Sequence, residues 1–394
     1  MTTHPFQIFP EPDAVAARHS ARLLDFICTE IAKTGAISFY RFMDLALYAP
    51  ELGYYRAGTG KFGAGGDFIT APELSPLFSR CLAHQCQEIL GALGGGTILE
   101  LGAGTGIMAA DILQELQHLN GLPERYLILE LSGELRQRQY QTLSKYVPEL
   151  LERVVWLDTL PESSFRGIIL GNEVLDALPV ERFHITANGS RRLEVINTDS
   201  GLGWRDGEED PIVTAAVARI EADLDAPLAE GYVSEYAPQL GTWLGAIAES
   251  LAAGALLFID YGYPRREYYH YERAAGTLLC HYRHRAHENP FIYTGLQDIT
   301  ANVDFTAVAD AAVEAGLAVA GYTSQNHFLF GCGLMNLLND VNTPDTLRYL
   351  EQARQVKLLT LPGEMGCRFQ AIALTRNLEQ PLRGFALHDE CGRL

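Results

Sequence analysis

Thr97-Ile98-Leu99-Glu100-Leu101-Gly102-Ala103-Gly104-Thr105-Gly106 runs directly into an apolar-periodic stretch over residues 107–116. An apolar strand, a glycine-rich turn and a helix, in that order, are the parts from which an open α/β sheet builds a ligand site at the carboxyl end of its first strand. Glycine suits such a turn because the backbone must bend sharply and let a ligand approach where a Cβ would collide. A dinucleotide fingerprint needs the spacing G-x-G-x-x-G. Here the glycines fall as G-x-G-x-G, and Ile107 stands where the third would be. The turn is a poor match to NAD or FAD.

It does resemble the E-x-G-x-G-x-G signature of class I methyltransferases, which bind S-adenosylmethionine. That ligand has no pyrophosphate for a helix N-terminus to hold. It carries an ammonium, a sulfonium and a ribose, so acidic and carbonyl groups near a strand end suit it better than a phosphate cradle. From this stretch alone, a glycine-rich connection with no ligand stays open.

Composition narrows the classes. A 394-residue chain has length for about two domains, or one with a large insertion. Apolar residues at 47% with 20% charged are ordinary for a globular protein, which argues against disorder. The net charge of −19 disfavours nucleic acid, whose binding rests on Lys and Arg neutralising phosphates, and favours a cationic partner. Seven scattered cysteines with no C-x-x-C pair indicate neither a disulfide framework nor a zinc ribbon. No long uninterrupted apolar run and no basic, apolar leader occur, so a cytoplasmic protein without membrane insertion, signal or transit peptide is expected.

Residues 13–33 carry Val15, Leu23, Leu24, Phe26, Ile27 and Ile31 at helical spacing, with Gly35 placed as a stop. Ser38 is a candidate cap for a second helix, which Pro50 and Gly53 end. The stretch 58–73 is too rich in glycine for helix or strand, yet it contains Asp67, Thr70, Pro72 and Glu73. A functional loop and a plain linker fit it equally well. A helix over 75–90 then breaks at Gly94-Gly95-Gly96.

Past the glycine turn the pattern predicts strand 125–130, helix 134–146, strand 154–158 and strand 167–171. Glu100, Glu130 and Asp158 close the first three strands. The acid after the second strand of a doubly wound sheet hydrogen-bonds ribose hydroxyls, which is Glu130's position, with capping of the next turn as the plainer alternative. The fourth strand leads into Asn172-Glu173 and Asp176-Ala177-Leu178-Pro179. An amide and two carboxylates at that edge can orient an amine or guanidinium and accept its proton.

Residues 182–228 change character. Alternation at Phe183, Ile185, Leu193, Val195 and Ile196 predicts a hairpin around Asn188-Gly189, followed by an acidic loop over 206–210. A helix over 239–252 precedes a fifth strand, 254–262, again ending in an acid, Asp260. The Cys280 to His287 stretch fits no zinc spacing and its basic residues oppose a cation, so no metal is expected. A helix over 306–315, a strand over 318–322, helices through Leu334 and over 347–359, and a last strand over 367–374 complete the chain, without repeats.

Taken together, Ala49-Pro50-Glu51-Leu52-Gly53-Tyr54-Tyr55, Gly66-Asp67-Phe68-Ile69-Thr70-Ala71-Pro72-Glu73, Glu100 to Gly106, Asn172-Glu173 with Asp176-Ala177-Leu178-Pro179, Ile259-Asp260-Tyr261-Gly262, and Asp298-Ile299-Thr300 with Val303-Asp304-Phe305 resemble the MidA-like class I methyltransferases. The mitochondrial members of that family are complex I assembly factors that dimethylate an arginine of a respiratory-chain subunit. The resemblance implies an α/β Rossmann-like core, a seven-stranded sheet with its last strand antiparallel, plus N-terminal helices and an inserted α+β subdomain. The expected divisions are 1–93 as a helical segment with a cofactor-covering loop, 94–181 with 254–376 as the core, 182–253 as the insertion and 377–394 as a tail.

By the same resemblance, Glu100, Gly102, Ala103, Gly104, Gly106, Glu130, Leu131, Asp158 and Asn172, with Thr70 and Pro72 of the covering loop, hold S-adenosylmethionine. Asn172, Glu173, Asp176, Asp67 and Glu73 are the implied catalytic groups. Glu235 falls in the family's E-x-S/N-P block, although Ala237 precedes Pro238 here. The implied activity is methyl transfer to a nitrogen of a protein substrate, arginine first. The alternatives are an assembly or chaperone-like factor that retains the fold, and a small-molecule methyltransferase. The implied partner is an arginine-bearing protein segment, with a homodimer also considered.

Overall fold

The computed structural model describes residues 9–56, 70–339 and 346–394. The chain forms two compact units, Met1–Ile69 with Pro179–Ala237 and Tyr271–Ala301, and Thr70–Leu178 with Pro238–His270 and Asn302–Leu394. The glycine-rich stretch up to residue 69, including Asp67, lies outside the described residues.

The second unit is built on strands β1 (Thr97–Leu101), β2 (Tyr126–Leu129), β3 (Val154–Leu157), β4 (Phe165–Asn172), β5 (Leu251–Tyr263), β6 (Ala318–Ser324) and β7 (Phe369–Arg376). Their order across the sheet is β3-β2-β1-β4-β5-β7-β6. The first five pair in parallel, and β7 runs antiparallel between β5 and β6. This is the expected Rossmann-like sheet. Two residues, Val303–Asp304, add a short strand parallel to the end of β5. The strand order reverses between β1 and β4, the switch point at which open α/β sheets bind ligands.

Ile98, Ile168, Leu170, Leu257 and Ile259 pack into one cluster with helices Pro76–Leu93 and Ile107–His118. Their chain neighbours Leu99, Ile169, Leu256 and Phe258 are buried as well. A parallel sheet covered on both faces needs strands that are apolar at every position, and each such side chain contributes about 1.5–3 kcal/mol. The helix Pro76–Leu93 starts where Ser75 accepts the Leu77 N–H and stops at left-handed Gly94.

The helix predicted over 239–252 is Leu240–Glu249, and β5 already begins at Leu251, opposite Phe165. Alanine favours a helix by only tenths of a kcal/mol per residue, less than a buried ladder returns.

In the first unit, Asp13 caps helix Ala14–Thr34 and Ser38 caps helix Phe39–Tyr48 by accepting the Arg41 N–H. The hairpin forms with Thr186 opposite Gly189, between strands Glu181–Thr186 and Gly189–Thr198. Strands Ile37–Ser38, Gly201–Asp206 and Val233–Tyr236 extend that sheet. A helix, Pro211–Glu221, follows the acidic loop and was not foreseen, although Asp210 before Pro211 is an N-cap signal. Residues 271–301, expected in the core, belong to this unit, and helix Pro76–Leu93, expected in the N-terminal segment, belongs to the other. No helix among the described residues is long and apolar enough to cross a membrane.

Candidate active site

Gly102, Gly104 and Gly106 adopt φ values of 63°, 52° and 82°, the left-handed region that only glycine enters freely. The turn is tight at its ends and open in the middle. A Cβ on Gly102 would lie 3.1 Å from Val174 Cγ1 and one on Gly106 3.0 Å from Gln139 Cα, whereas one on Gly104 would meet nothing within 4 Å. Ala103 between them is buried. The Thr105 hydroxyl donates to the Glu73 carboxylate, tying the turn to the short helix Ala71–Leu74, which Thr70 precedes and in which Pro72 is buried. Glu73, implied as a reacting group, is thus engaged in holding the turn.

Glu130 follows β2 and is almost fully buried. Its Oε1 accepts the Ser132 N–H at 2.8 Å, and its Oε2 accepts from Gln139 Nε2 at 3.0 Å. Burial raises its pKa above the ordinary value while these donors oppose the rise. Glu100 lies inside the sheet, and its Oε2 accepts the Tyr126 hydroxyl at 2.6 Å. Burial pushes its pKa up to about 7 against that bond. Leu131 is 57% exposed beside Glu130. Asp158 is also exposed and pairs with Arg136 at 2.7 Å.

The end of β4 carries the densest chemistry. Asp260 on β5 is completely buried, and its Oδ2 accepts three successive backbone N–H groups, from Val174 at 3.1 Å, Leu175 at 2.9 Å and Asp176 at 3.2 Å. Its Oδ1 accepts the Tyr261 N–H at 2.9 Å. The loop after β4 is therefore wrapped around one carboxylate. Glu173 takes φ 53°, a costly backbone for a residue with a Cβ, and so turns the chain at that point. Asn172 Nδ2 donates to Glu173 Oε1 at 3.1 Å. The Tyr261 hydroxyl donates to Asp176 Oδ2. Asn172 Oδ1 and Asp176 Oδ1 are buried with no hydrogen-bond partner among the described residues. Burial raises the pKa of Asp176 to about 6, and burial with the charges of Asp176 and Glu173 raises that of Asp260 well above the usual carboxylate range.

The sequence pattern singled out the Asn172 to Asp176 corner and the acid at Glu130. It gave no role to Asp260 or Tyr261, although an acid ending the fifth strand at the same sheet edge was a usable signal. Tyr126 and Gln139 carried none. Glu235, in the other unit, is buried and accepts the Thr277 N–H at 2.6 Å and hydroxyl at 2.7 Å, with Arg182 at 3.6 Å.

An unlined space beside Gly104, a fixed acid after β2 and buried acceptors without donors after β4 suit a ligand that is cationic at one end and hydroxylated at the other. A family profile for S-adenosyl-L-methionine-dependent methyltransferases matches residues 81–323. The chain is 29% identical over 381 residues to "Protein arginine methyltransferase NDUFAF7, mitochondrial" of Danio rerio, covering 88% of this chain and 85% of that one. It is 26% identical over 400 residues to the Caenorhabditis elegans homolog of the same name, covering 93% and 89%. A protein from Burkholderia thailandensis, solved with S-adenosyl-homocysteine bound, superposes with TM-score 0.93 at 43% identity, covering 98% of this chain and all of that one. S-adenosylmethionine fits the residues present: Glu130 can take hydroxyls, Gly104 leaves room, and the surrounding carboxylates favour its positive charge. When bound, it supplies an electrophilic methyl group on a sulfonium. The chain belongs to this family and is an S-adenosylmethionine-dependent methyltransferase.

Proposed function

We propose that the methyl acceptor is an arginine side chain of a protein substrate. The observation that carries this reading is Asp176, a buried carboxylate with one oxygen tied to Tyr261 and the other without a donor. A guanidinium stays protonated at neutral pH and brings several N–H donors in a fixed fork. It therefore needs a carboxylate to hold it, and it must release a proton as the new N–C bond forms. With a pKa of about 6, Asp176 is ionised at neutral pH yet more basic than an exposed aspartate. In this reading Asp176 Oδ1 receives the proton, Asn172 Oδ1 accepts a second N–H, and Glu173 adds negative charge at the same corner.

Two further facts support the assignment. The relatives from Danio rerio and Homo sapiens, 29% and 28% identical over most of the chain, bear the name protein arginine methyltransferase. The net charge of −19 favours encounter with a cationic segment. The test is transfer of labelled methyl from S-adenosylmethionine into a lysate of cells lacking the protein. The expected result is label in a protein band, methylarginine in its hydrolysate, and loss of both with Asp176→Asn. Label confined to the small-molecule fraction, or methyllysine in place of methylarginine, overturns the reading.

A further inference from the structure

We propose that Gln139 is a positioning residue that locks the glycine turn and the Glu130 carboxylate into one piece and thereby sets the affinity for the cofactor. Gln139 sits on helix Gly133–Tyr146 and is completely buried. Its Nε2 donates to the Gly104 carbonyl at 3.1 Å and to Glu130 Oε2 at 3.0 Å. Its Oε1 accepts the Trp156 indole N–H at 2.9 Å. The indole N–H can only donate, so the amide oxygen must face Trp156 and both amide hydrogens must face the turn and the acid. One side chain is thus bound to the turn after β1, the residue after β2 and the interior of β3.

The packing beside it is equally restrictive. Gly106 lies so close that a Cβ there would stand 3.0 Å from Gln139 Cα and 3.2 Å from its Cβ. The middle of the turn, where Gly104 faces open space, is the part that Gln139 grips by its carbonyl. Chemistry explains why an amide occupies the position. A lysine or arginine would hold Glu130 by cancelling the negative charge with which it accepts ribose hydroxyls, and a glutamate would repel it. A neutral double donor fixes the carboxylate and leaves its charge available. The inference rests on the cofactor site and not on the identity of the methyl acceptor.

The test is calorimetric titration of the full chain with S-adenosylmethionine, alongside steady-state kinetics and thermal melts. Gln139→Met keeps the volume and removes all three bonds; it should weaken cofactor binding about tenfold. Trp156→Phe frees the amide to turn over and should weaken it about threefold, because Trp156 acts through Gln139. The double variant should then bind no more weakly than Gln139→Met alone. The KM for the cofactor should rise more than kcat falls, a split that a general loss of packing would not produce. Cofactor affinity of Gln139→Met within twofold of the parent, or fully additive losses in the double variant, overturns the proposal. If Gln139→Met fails to fold, Trp156→Phe decides alone, and unchanged cofactor affinity in that variant is equally fatal.

Discussion

Gly104 combines φ 52° with an empty space beside its α-carbon, so backbone and ligand room both depend on one missing methyl group. Gly104→Val should cost about 1–2 kcal/mol of stability from the left-handed backbone, visible in a melt. It should also abolish the calorimetric signal for S-adenosylmethionine, since the side chain enters the open space. Asp176 behaves in the opposite sense. Unfolded, it ionises near 3.8, and folded near about 6, so the folded state binds the extra proton between those values and loses stability as pH rises through them. Above that window the buried charge costs up to about 3 kcal/mol. Asp176→Asn should therefore raise Tm at pH 8, leave it unchanged at pH 4, and lower methyl transfer at least about a hundredfold. Equal Tm at pH 8 would show that the charge is better compensated than its surroundings indicate.

At the scale of elements, β5 does more for the site than its apolar sequence suggests. Its Asp260 collects the N–H groups of Val174, Leu175 and Asp176 on a single oxygen, which is why the loop after β4 holds an unfavourable backbone at Glu173. Asp260→Ala would leave four backbone N–H groups, those of Val174, Leu175, Asp176 and Tyr261, without this acceptor and should cost about 3–5 kcal/mol by chemical denaturation. Asp260→Asn, which retains one acceptor oxygen, should lose less stability but still lower kcat. Tyr261, next in the strand, lowers the pKa of Asp176 by donating to it. In Tyr261→Phe that pKa rises, so the acid limb of the kcat/KM profile should move to higher pH; an unmoved limb would mean that another group titrates there. Strand positions were legible because burial on both faces writes an unbroken apolar run, as in Ile168-Ile169-Leu170 and Leu256-Leu257-Phe258-Ile259. The cap at Ser38 was legible because it is local. The early start of β5 at Leu251 was not, because its partner Phe165 lies far away in the chain.

For the molecule as a whole, a net charge of −19 would act on the proposed cationic substrate over distances comparable with the Debye length, about 10 Å at 0.1 M salt. Raising ionic strength from about 0.05 to 0.5 M should raise KM for an arginine-bearing protein several-fold and leave kcat nearly constant. A KM independent of salt would place recognition in neutral contacts. Each unit is assembled from three separated stretches of chain, an arrangement in which 271–301 joins residues near the N-terminus and 302–394 returns to the sheet.

The sequence by itself determined the α/β sheet, the glycine turn after β1, the acid after β2 and the amide-carboxylate cluster after β4. Periodicity, glycine spacing and strand-end residues are local properties, and local chemistry is enough to set them. Only the tertiary structure decided that Asp260 and Tyr261 shape the corner at Asp176, that Gln139 joins the turn to Glu130, and that residues 271–301 leave the core unit. Those outcomes depend on hydrogen bonds and packing between residues remote in the chain, which carry no periodic trace in the string of residues that forms them.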